Sequence, residues 1–398
     1  MNKKHSTKIK RILMIAPIDI SQDFGSKIHF FNLAISFENL GFLTRSIIYF
    51  PENIKKDKLS ESIDIRFVPN PLLGNALFRA FKYLLVLPFI IRDVFRFKPQ
   101  LVYIQFSPPA LLYQLVLNCL KIFSFNFKVV LEFHDWVAEQ RKLEGHSRLK
   151  VFTVGKLQLG SAHLADQIRV VAKGIKEKLL SLGVYDKKIS VIENGTDLDL
   201  FKPIDRKKAK KLIGVNPDYL YVGFIGFFAM WQGLDYLLDA IPKVSKNHKD
   251  IRFLMVGDGP LMPAIKKVIS EFREEKVILT GSVSYSEANL YINAFDIGVA
   301  PFIKQRNEGM VSPMKIRDYA ACGVPIITTR IRGLEMVEEK GIGILVPPDD
   351  SKALSEAIIE LIENPALRRE MGKKGRRVAE ENFSWQDVAG NILDKAAN

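Results

Sequence analysis

The chain is predicted to fold as two doubly wound α/β domains in tandem. Short apolar runs alternate with helical segments from end to end, the pattern of parallel sheets covered on both faces. A length of 398 residues exceeds one ordinary domain and suits two of about 200. A cluster of Gly, Pro and Asp interrupts the alternation near the middle. Ligands of such sheets gather at the carboxyl ends of the strands. Two such domains facing a central cleft therefore direct attention to the loops that follow strands.

The first series of strands is read at Arg11–Ala16, Thr44–Tyr49, Ile65–Val68, Leu101–Gln105, Lys128–Phe133, Gln167–Val171 and Ile189–Ile192, with helices such as His29–Asn39 and Gly174–Leu182 between them. The run Glu193 to Pro203 breaks the register, so the linker is placed at residues 196–205. A second series follows at Tyr221–Ile225, Arg252–Val256, Val277–Thr280, Ile297–Ala300, Pro325–Thr328 and Gly343–Val346. These readings give an N-terminal Rossmann-like domain at 1–200 and a C-terminal one at 205–383, with a last helix at 384–398 returning to the first domain.

Hydrophobic residues at 47% can fill two cores. Two cysteines, Cys119 and Cys322, exclude a disulfide scaffold and a cysteine-rich metal site, and fit a reducing, cytoplasmic setting. Lys3, Lys4, Lys8, Lys10 and Arg11 precede an apolar run, but it stops at Pro17, short of an export signal's apolar core. No uncharged stretch reaches the ~20 apolar residues a bilayer crossing needs. In Leu111–Leu120, the nearest, Gln114 and Asn118 with the following Lys121 draw one polar stripe along a mostly buried helix.

The net charge is +14, and residues 1–200 carry 29 basic against 18 acidic side chains. The first half is thus the one suited to an anionic partner. Nucleic acid is not indicated, because no finger, arginine-rich tail or basic–aromatic motif appears.

Four stretches can carry chemistry. Asp23-Phe24-Gly25-Ser26-Lys27 is a Gly-bearing turn ahead of a helix at His29, where free amides can meet an anion or a sugar hydroxyl. It lacks the further glycines of a dinucleotide fingerprint. Glu132-Phe133-His134-Asp135 ends an apolar strand and puts His134 at the sheet edge, able to hydrogen-bond a substrate hydroxyl or balance developing charge. Gly257-Asp258-Gly259-Pro260 follows a strand and either closes over a nucleotide or sets the next helix. The segment from Glu308 through Ser312 and Lys315 to Pro325 opens a helix that Gly323 ends. A diphosphate above that helix would meet amides, the dipole and Lys315 together, and Asp318 could accept hydrogen bonds from a ribose. Asp197-Leu198-Asp199 spells a metal-binding Asp-x-Asp, but it lies in the linker rather than after a buried strand.

Nearly end to end, the sequence resembles the family 4 glycosyltransferases of the GT-B fold. The resemblance rests on Val191 to Pro203, on Val222–Ala240 with Gly226, Trp231 and Gly233-Leu234-Asp235, on Gly257 to Pro260, and on Asp318 to Ile327. It implies a nucleotide sugar held by the C-terminal domain, an acceptor held by the N-terminal one, retention of anomeric configuration and no bound metal or other cofactor. In its terms His134 is catalytic, and Gly25 and Ser26 form the loop over the transferred sugar. Gly226, Gln232, Asp258 and Val283 fall on the donor side, as do Glu308, Met310, Ser312, Met314 and Asp318. Asp318 matches the second acid of the family's Glu-x7-Glu pair, whereas Met310 stands in the first acid's place and Glu308 is two residues early. The family's phosphate-binding Arg and Lys fall at Phe227 and Gln232. Lys315 is the best-placed substitute and is counted as catalytic, with Arg306 and Lys304 next; a branch with Trp-x-Gly and Ser-Pro-x-Lys looks similar.

The resulting expectation is a metal-independent hexosyltransferase using a UDP- or GDP-sugar and a glycan or lipid-linked acceptor in cell-surface polysaccharide assembly. The alternatives are a catalytically weak or inactive partner subunit on the same fold and a nucleotide-sugar 2-epimerase. Residues 76–98 add an expectation of peripheral contact with the inner face of the membrane. Arg79, Lys82, Arg92, Arg96 and Lys98 accompany several phenylalanines there, with Asp93 the one acid and Pro88 a kink.

Overall fold

The computed structural model describes residues 9–19, 24–50, 63–69, 83–272, 276–306, 310 and 312–397. Contacts divide the chain into two units. One comprises Met1–Asn194 with Met310–Ser312 and Trp385–Asn398, and the other Gly195–Gly309 with Pro313–Ser384.

The first unit holds a parallel sheet of seven strands, β1 Arg11–Asp19, β2 Leu43–Phe50, β3 Asp64–Pro69, β4 Leu101–Gln105, β5 Lys128–Phe133, β6 Gln167–Val170 and β7 Ile189–Val191, in the order β3-β2-β1-β4-β5-β6-β7. Each strand is one of the predicted apolar runs, with ends that agree to within one residue except at β1. That strand continues past Pro17 to Asp19, with a register shift between Ala16 and Asp19. The helices are α1 Phe24–Asn39, α2 Leu87–Phe97, α3 Ala110–Ile122, α4 Val137–Leu143, α5 Arg148–Leu164 and α6 Lys173–Ser181. One apolar core joins Leu13, Ile104, Leu131 and Val170 of the sheet to Val94 of α2 and Tyr113 of α3.

The polar stripe foreseen on α3 has partners on and after α5. Gln114 donates to the Ser161 carbonyl at 3.1 Å, Asn118 to that of Leu164 at 3.4 Å, and Lys121 pairs with Asp166 at 2.5 Å. Satisfying those groups makes the helix buriable. Pro88 does not kink α2; it sits in the first turn, where its missing N–H costs nothing.

The second unit repeats the plan. Strands β8 Leu220–Ile225, β9 Ile251–Val256, β10 Val277–Gly281, β11 Ile297–Ala300, β12 Ile326–Thr329 and β13 Gly343–Val346 form a parallel sheet in the order β10-β9-β8-β11-β12-β13. Its helices are α7 Arg206–Leu212, α8 Leu234–Ser245, α9 Met262–Phe272, α10 Tyr285–Ala294, α11 Met314–Ala321, α12 Met336–Glu339, α13 Ser351–Glu363 and α14 Pro365–Asn382. The last helix, α15 Trp385–Ala397, belongs to the first unit, where the Trp385 ring meets that of His29 on α1 at 4.8 Å.

Both sheets reverse their strand order once, between β1 and β4 and between β8 and β11. Such switch points are where open α/β sheets bind ligands. Among the described residues, no helix is long and apolar enough to cross a membrane.

Candidate active site

In the first unit the sheet's carboxyl edge carries His134, one residue past β5. Its Nε2 lies 3.1 Å from Oε2 of Glu132, and its ring stands edge-on to His29 at 4.0 Å. Glu132 is buried because β5 is a central strand, and β6 pairs with it so that Arg169 falls directly opposite. The Arg169 Nη1 donates to Glu132 Oε1 and, at 3.2 Å, to the Tyr103 hydroxyl. Its other groups donate to the Ile192 and Glu193 carbonyls at 3.0 and 2.9 Å and to Asn194 Oδ1 at 3.3 Å.

Burial alone would push the Glu132 carboxyl up, but its interactions with His134, His29 and Arg169 outweigh that and hold it well below the usual carboxylate range. Burial drives His29 down to about 3, against the pull of Glu132, so His29 is neutral and Arg169 is the standing cation. The ligand-capable atoms of His29, Glu132 and His134 lie within 4.8 Å of one another, a spacing that suits a metal. The guanidinium already balances the one carboxylate there and contacts the His29 Nε2 at 3.2 Å, so this set reads as an arginine-neutralised network.

Gly25 and Ser26 are not in a turn before the helix but in the first turn of α1, which begins at Phe24 rather than His29.

In the second unit, Gly226, Gln232 and Lys315 meet at the switch point between β8 and β11. Gly226 follows β8 with φ +143°, and a Cβ there would sit 2.9 Å from the Lys315 Nζ. Gly233, at φ +65°, closes the short 3₁₀ turn Met230–Gln232, and a Cβ there would strike the Pro301 carbonyl at 1.7 Å. The two glycines let the loop after β8 close against the loop after β11, which fixes Gln232. Lys315, in the first turn of α11, donates from Nζ to Gln232 Oε1 at 2.9 Å and lies 3.8 Å from the centre of the Phe224 ring. Pro313 at the N-cap of α11 supplies no side-chain cap. Amides, dipole and ammonium thus converge as an anion would require. Phe227, at the other vacated position, is half exposed.

Asp318 accepts a hydrogen bond from the Thr196 hydroxyl at 2.6 Å. Burial pushes its carboxyl up to about 7, against the Thr196 bond and nearby Arg317. Met314 opens α11, and Val283 is half-buried two residues beyond β10. Asp258 is exposed; its Oδ1 takes the Gly259 amide at 2.7 Å and its carbonyl takes that of Phe228 at 2.9 Å, so Gly257 to Pro260 is a tight turn against the loop after β8. Asp197 likewise spends Oδ1 on the amides of Asp199 and Leu200, both at 3.0 Å, a local turn rather than a metal clamp.

Two donor assignments change. Met310 packs into the first unit's apolar core, as an apolar side chain must when it has no polar ligand to meet. Ser312 also falls in the first unit, with its Oγ taking the Asn194 amide at 3.2 Å and its carbonyl the Asn194 Nδ2 at 3.1 Å. Glu308 and the Arg306 side chain lie outside the described residues, and Lys304 is exposed on a 3₁₀ turn. Sequence reasoning missed His29, Arg169 and Thr196. Opposite charges set inside two neighbouring apolar strands, Glu132 and Arg169, were the available signal.

Residues 25–200 match the family described as Glycosyltransferase Family 4, and residues 219–364 match Glycosyl transferases group 1. An uncharacterized glycosyltransferase of Methanocaldococcus jannaschii is 27% identical over 59% of this chain and 58% of its own length. A GDP-mannose-dependent monoacylated alpha-(1-6)-phosphatidylinositol monomannoside mannosyltransferase of Corynebacterium glutamicum is 27% identical over 51% and 54%. The chain thus spans a little over half the length of these relatives. Among solved structures, sucrose-phosphate synthase from Thermosynechococcus elongatus superposes with a TM-score of 0.77 at 20% identity, covering 96% of this chain and 97% of that one. HepE of Anabaena in complex with UDP-glucose gives 0.73 at 17%, covering 97% and 99%. Two parallel-sheet Rossmann-like units of this kind are the GT-B architecture, and each of them carries a stretch that matches a glycosyltransferase family.

Proposed function

We propose that the chain transfers a hexose from a UDP- or GDP-sugar to a glycan or lipid-linked acceptor, with retention of configuration, in cell-surface polysaccharide assembly. One observation carries this reading: the Lys315 ammonium lies 2.9 Å from the Gln232 side chain, where the resemblance expects a phosphate-binding lysine. The charge lost at 232 is thus supplied to the same spot from α11. A leaving diphosphate there gains a cation and helix amides, which stabilise the charge that develops as the glycosidic bond breaks. The same groups do the work a divalent ion does in metal-dependent transferases, so turnover is expected to survive chelation. Asp318 is assigned to the ribose and His134 to the transferred sugar.

The names of the mannosyltransferase and of the UDP-glucose complex support a nucleotide-sugar donor, and the former supports a lipid-linked acceptor. The membrane reading draws on α2, where Ile91, Arg92, Phe95 and Arg96 are exposed while Ile90, Asp93 and Val94 are buried. An outward face mixing cations with apolar side chains suits an anionic leaflet on the cytoplasmic side. Residues 76–82, including Arg79 and Lys82, lie outside the described residues.

The test is incubation with a panel of UDP- and GDP-sugars, with and without sugar acceptors, following nucleotide release and product. Release that depends on acceptor and accompanies a glycosylated product is expected. Interconversion of the donors without transfer would establish an epimerase instead, and donor binding with no turnover an inactive subunit.

A further inference from the structure

Arg169 is 1% exposed and Glu132 is fully buried. A guanidinium has five N–H groups. Those of Arg169 are taken by Ile192, Glu193, Asn194, Tyr103 and a single oxygen of Glu132, Oε1. The second oxygen, Oε2, is buried and, among the described residues, receives no hydrogen bond of good geometry; the Nε2 of His134, also buried and also without one among them, is 3.1 Å away. A buried carboxylate oxygen with no donor is costly, and an imidazole N–H is the donor at hand. The proton of neutral His134 therefore belongs on Nε2, which leaves the lone pair on Nδ1. The side chain of His134 keeps 23% of its surface while Nε2 is buried, so the accessible part of the ring is the remainder. His29, edge-on at 4.0 Å and itself held by Glu132 at 2.9 Å, limits rotation of that ring.

We propose that Glu132 is a positioning residue for His134: it fixes the ring as the Nε2–H tautomer, so that Nδ1 is the atom offered to a hydroxyl of the transferred sugar, while Arg169 keeps Glu132 ionised and in place. The contact tightens into a full hydrogen bond when the other edge of the ring is engaged, as bonds in active sites commonly do. This rests on the reading that His134 works on substrate.

The chain has six histidines, so a ¹⁵N-histidine-labelled sample of the whole protein resolves their tautomers by NMR without any turnover. Wild type is expected to show His134 as Nε2–H. In Glu132→Gln, which can donate as well as accept, the two tautomers mix. The same substitution is expected to lower kcat by about 10- to 100-fold with donor KM within about twofold, and to cost less than about twofold more in a His134→Ala background. If Glu132→Gln does not fold, Glu132→Asp keeps the charge for Arg169, withdraws it from His134 by one methylene, and gives the same readouts. An Nδ1–H tautomer in wild type, an unchanged tautomer in either variant, or losses that multiply with His134→Ala would overturn the proposal. A correct tautomer in a protein that transfers no sugar would sink the functional reading and leave the positioning intact.

Discussion

The first unit buries Glu132 and Arg169 completely and spends the guanidinium on the protein itself, on three residues at the end of β7 and on two side chains of the sheet. The second unit places Lys315 half-buried at a helix start, against a neutral amide and an aromatic face. Arg169 has its carboxylate partner in register, Glu132 on the neighbouring strand. A cation paired with a buried carboxylate holds strands together, and one at a helix start is placed where an anion is favoured. The two sites therefore answer differently to the loss of a positive charge.

Arg169→Met should expose that difference most. It leaves Glu132 buried and unpaired, which costs about 3–5 kcal/mol of stability. Denaturant titration reads this as a lowered midpoint with little change in slope. Lys315→Met should stay within about 1 kcal/mol of wild type in the same titration. Equal losses would show that both cations are structural.

Next in size, Lys315→Ala should lose about 2–4 kcal/mol of transition-state stabilisation, on the scale of one lost oxyanion donor. Steady-state kinetics would show a fall in kcat with the melting temperature held. If Lys304→Ala or Arg306→Ala proves the costly change, the charge comes from the loop after β11 and the comparison moves there.

Gly226→Ala acts on the same site through the backbone. Its φ of +143° and the 2.9 Å approach of a Cβ to the Lys315 Nζ predict about 1–3 kcal/mol of destabilisation together with reduced turnover. Calorimetry and kinetics on one preparation would separate the two effects.

A further effect concerns Asp318. Its folded value of about 7 exceeds the ordinary 3.8, so between those pH values the native state holds a proton that the unfolded chain has released. Stability then falls as pH rises through that window and levels off above it. Asp318→Asn should flatten this slope and raise donor KM; an unchanged slope would mean that Asp318 is ionised throughout.

How much of this was legible in the sequence follows from what each signal depends on. Strands such as Leu101–Gln105 and Lys128–Phe133 were readable because a buried parallel strand is a continuous apolar run, and both were found at those bounds. Lys315 was readable because Ser-Pro-x-Lys announces a helix start. Glu132 and Arg169 were not paired beforehand, since their meeting depends on the register of β5 against β6, which no local pattern fixes. Phe24-Gly25-Ser26 was placed in a turn because glycine weakens a helical reading, yet α1 starts there. Met310 matched a motif by counting alone, and its apolar side chain went to a core.

The central claim, that Lys315 replaces the phosphate-binding charge missing at Phe227 and Gln232, has a direct test. In a Lys315→Ala background, Gln232→Lys returns an ammonium to within a few ångströms of the one removed, since the two side chains meet at 2.9 Å. Turnover of the double variant should recover to at least about tenfold above Lys315→Ala alone, which is about 1.4 kcal/mol of the lost stabilisation. A folded double variant that still binds donor but shows no recovery would contradict the account.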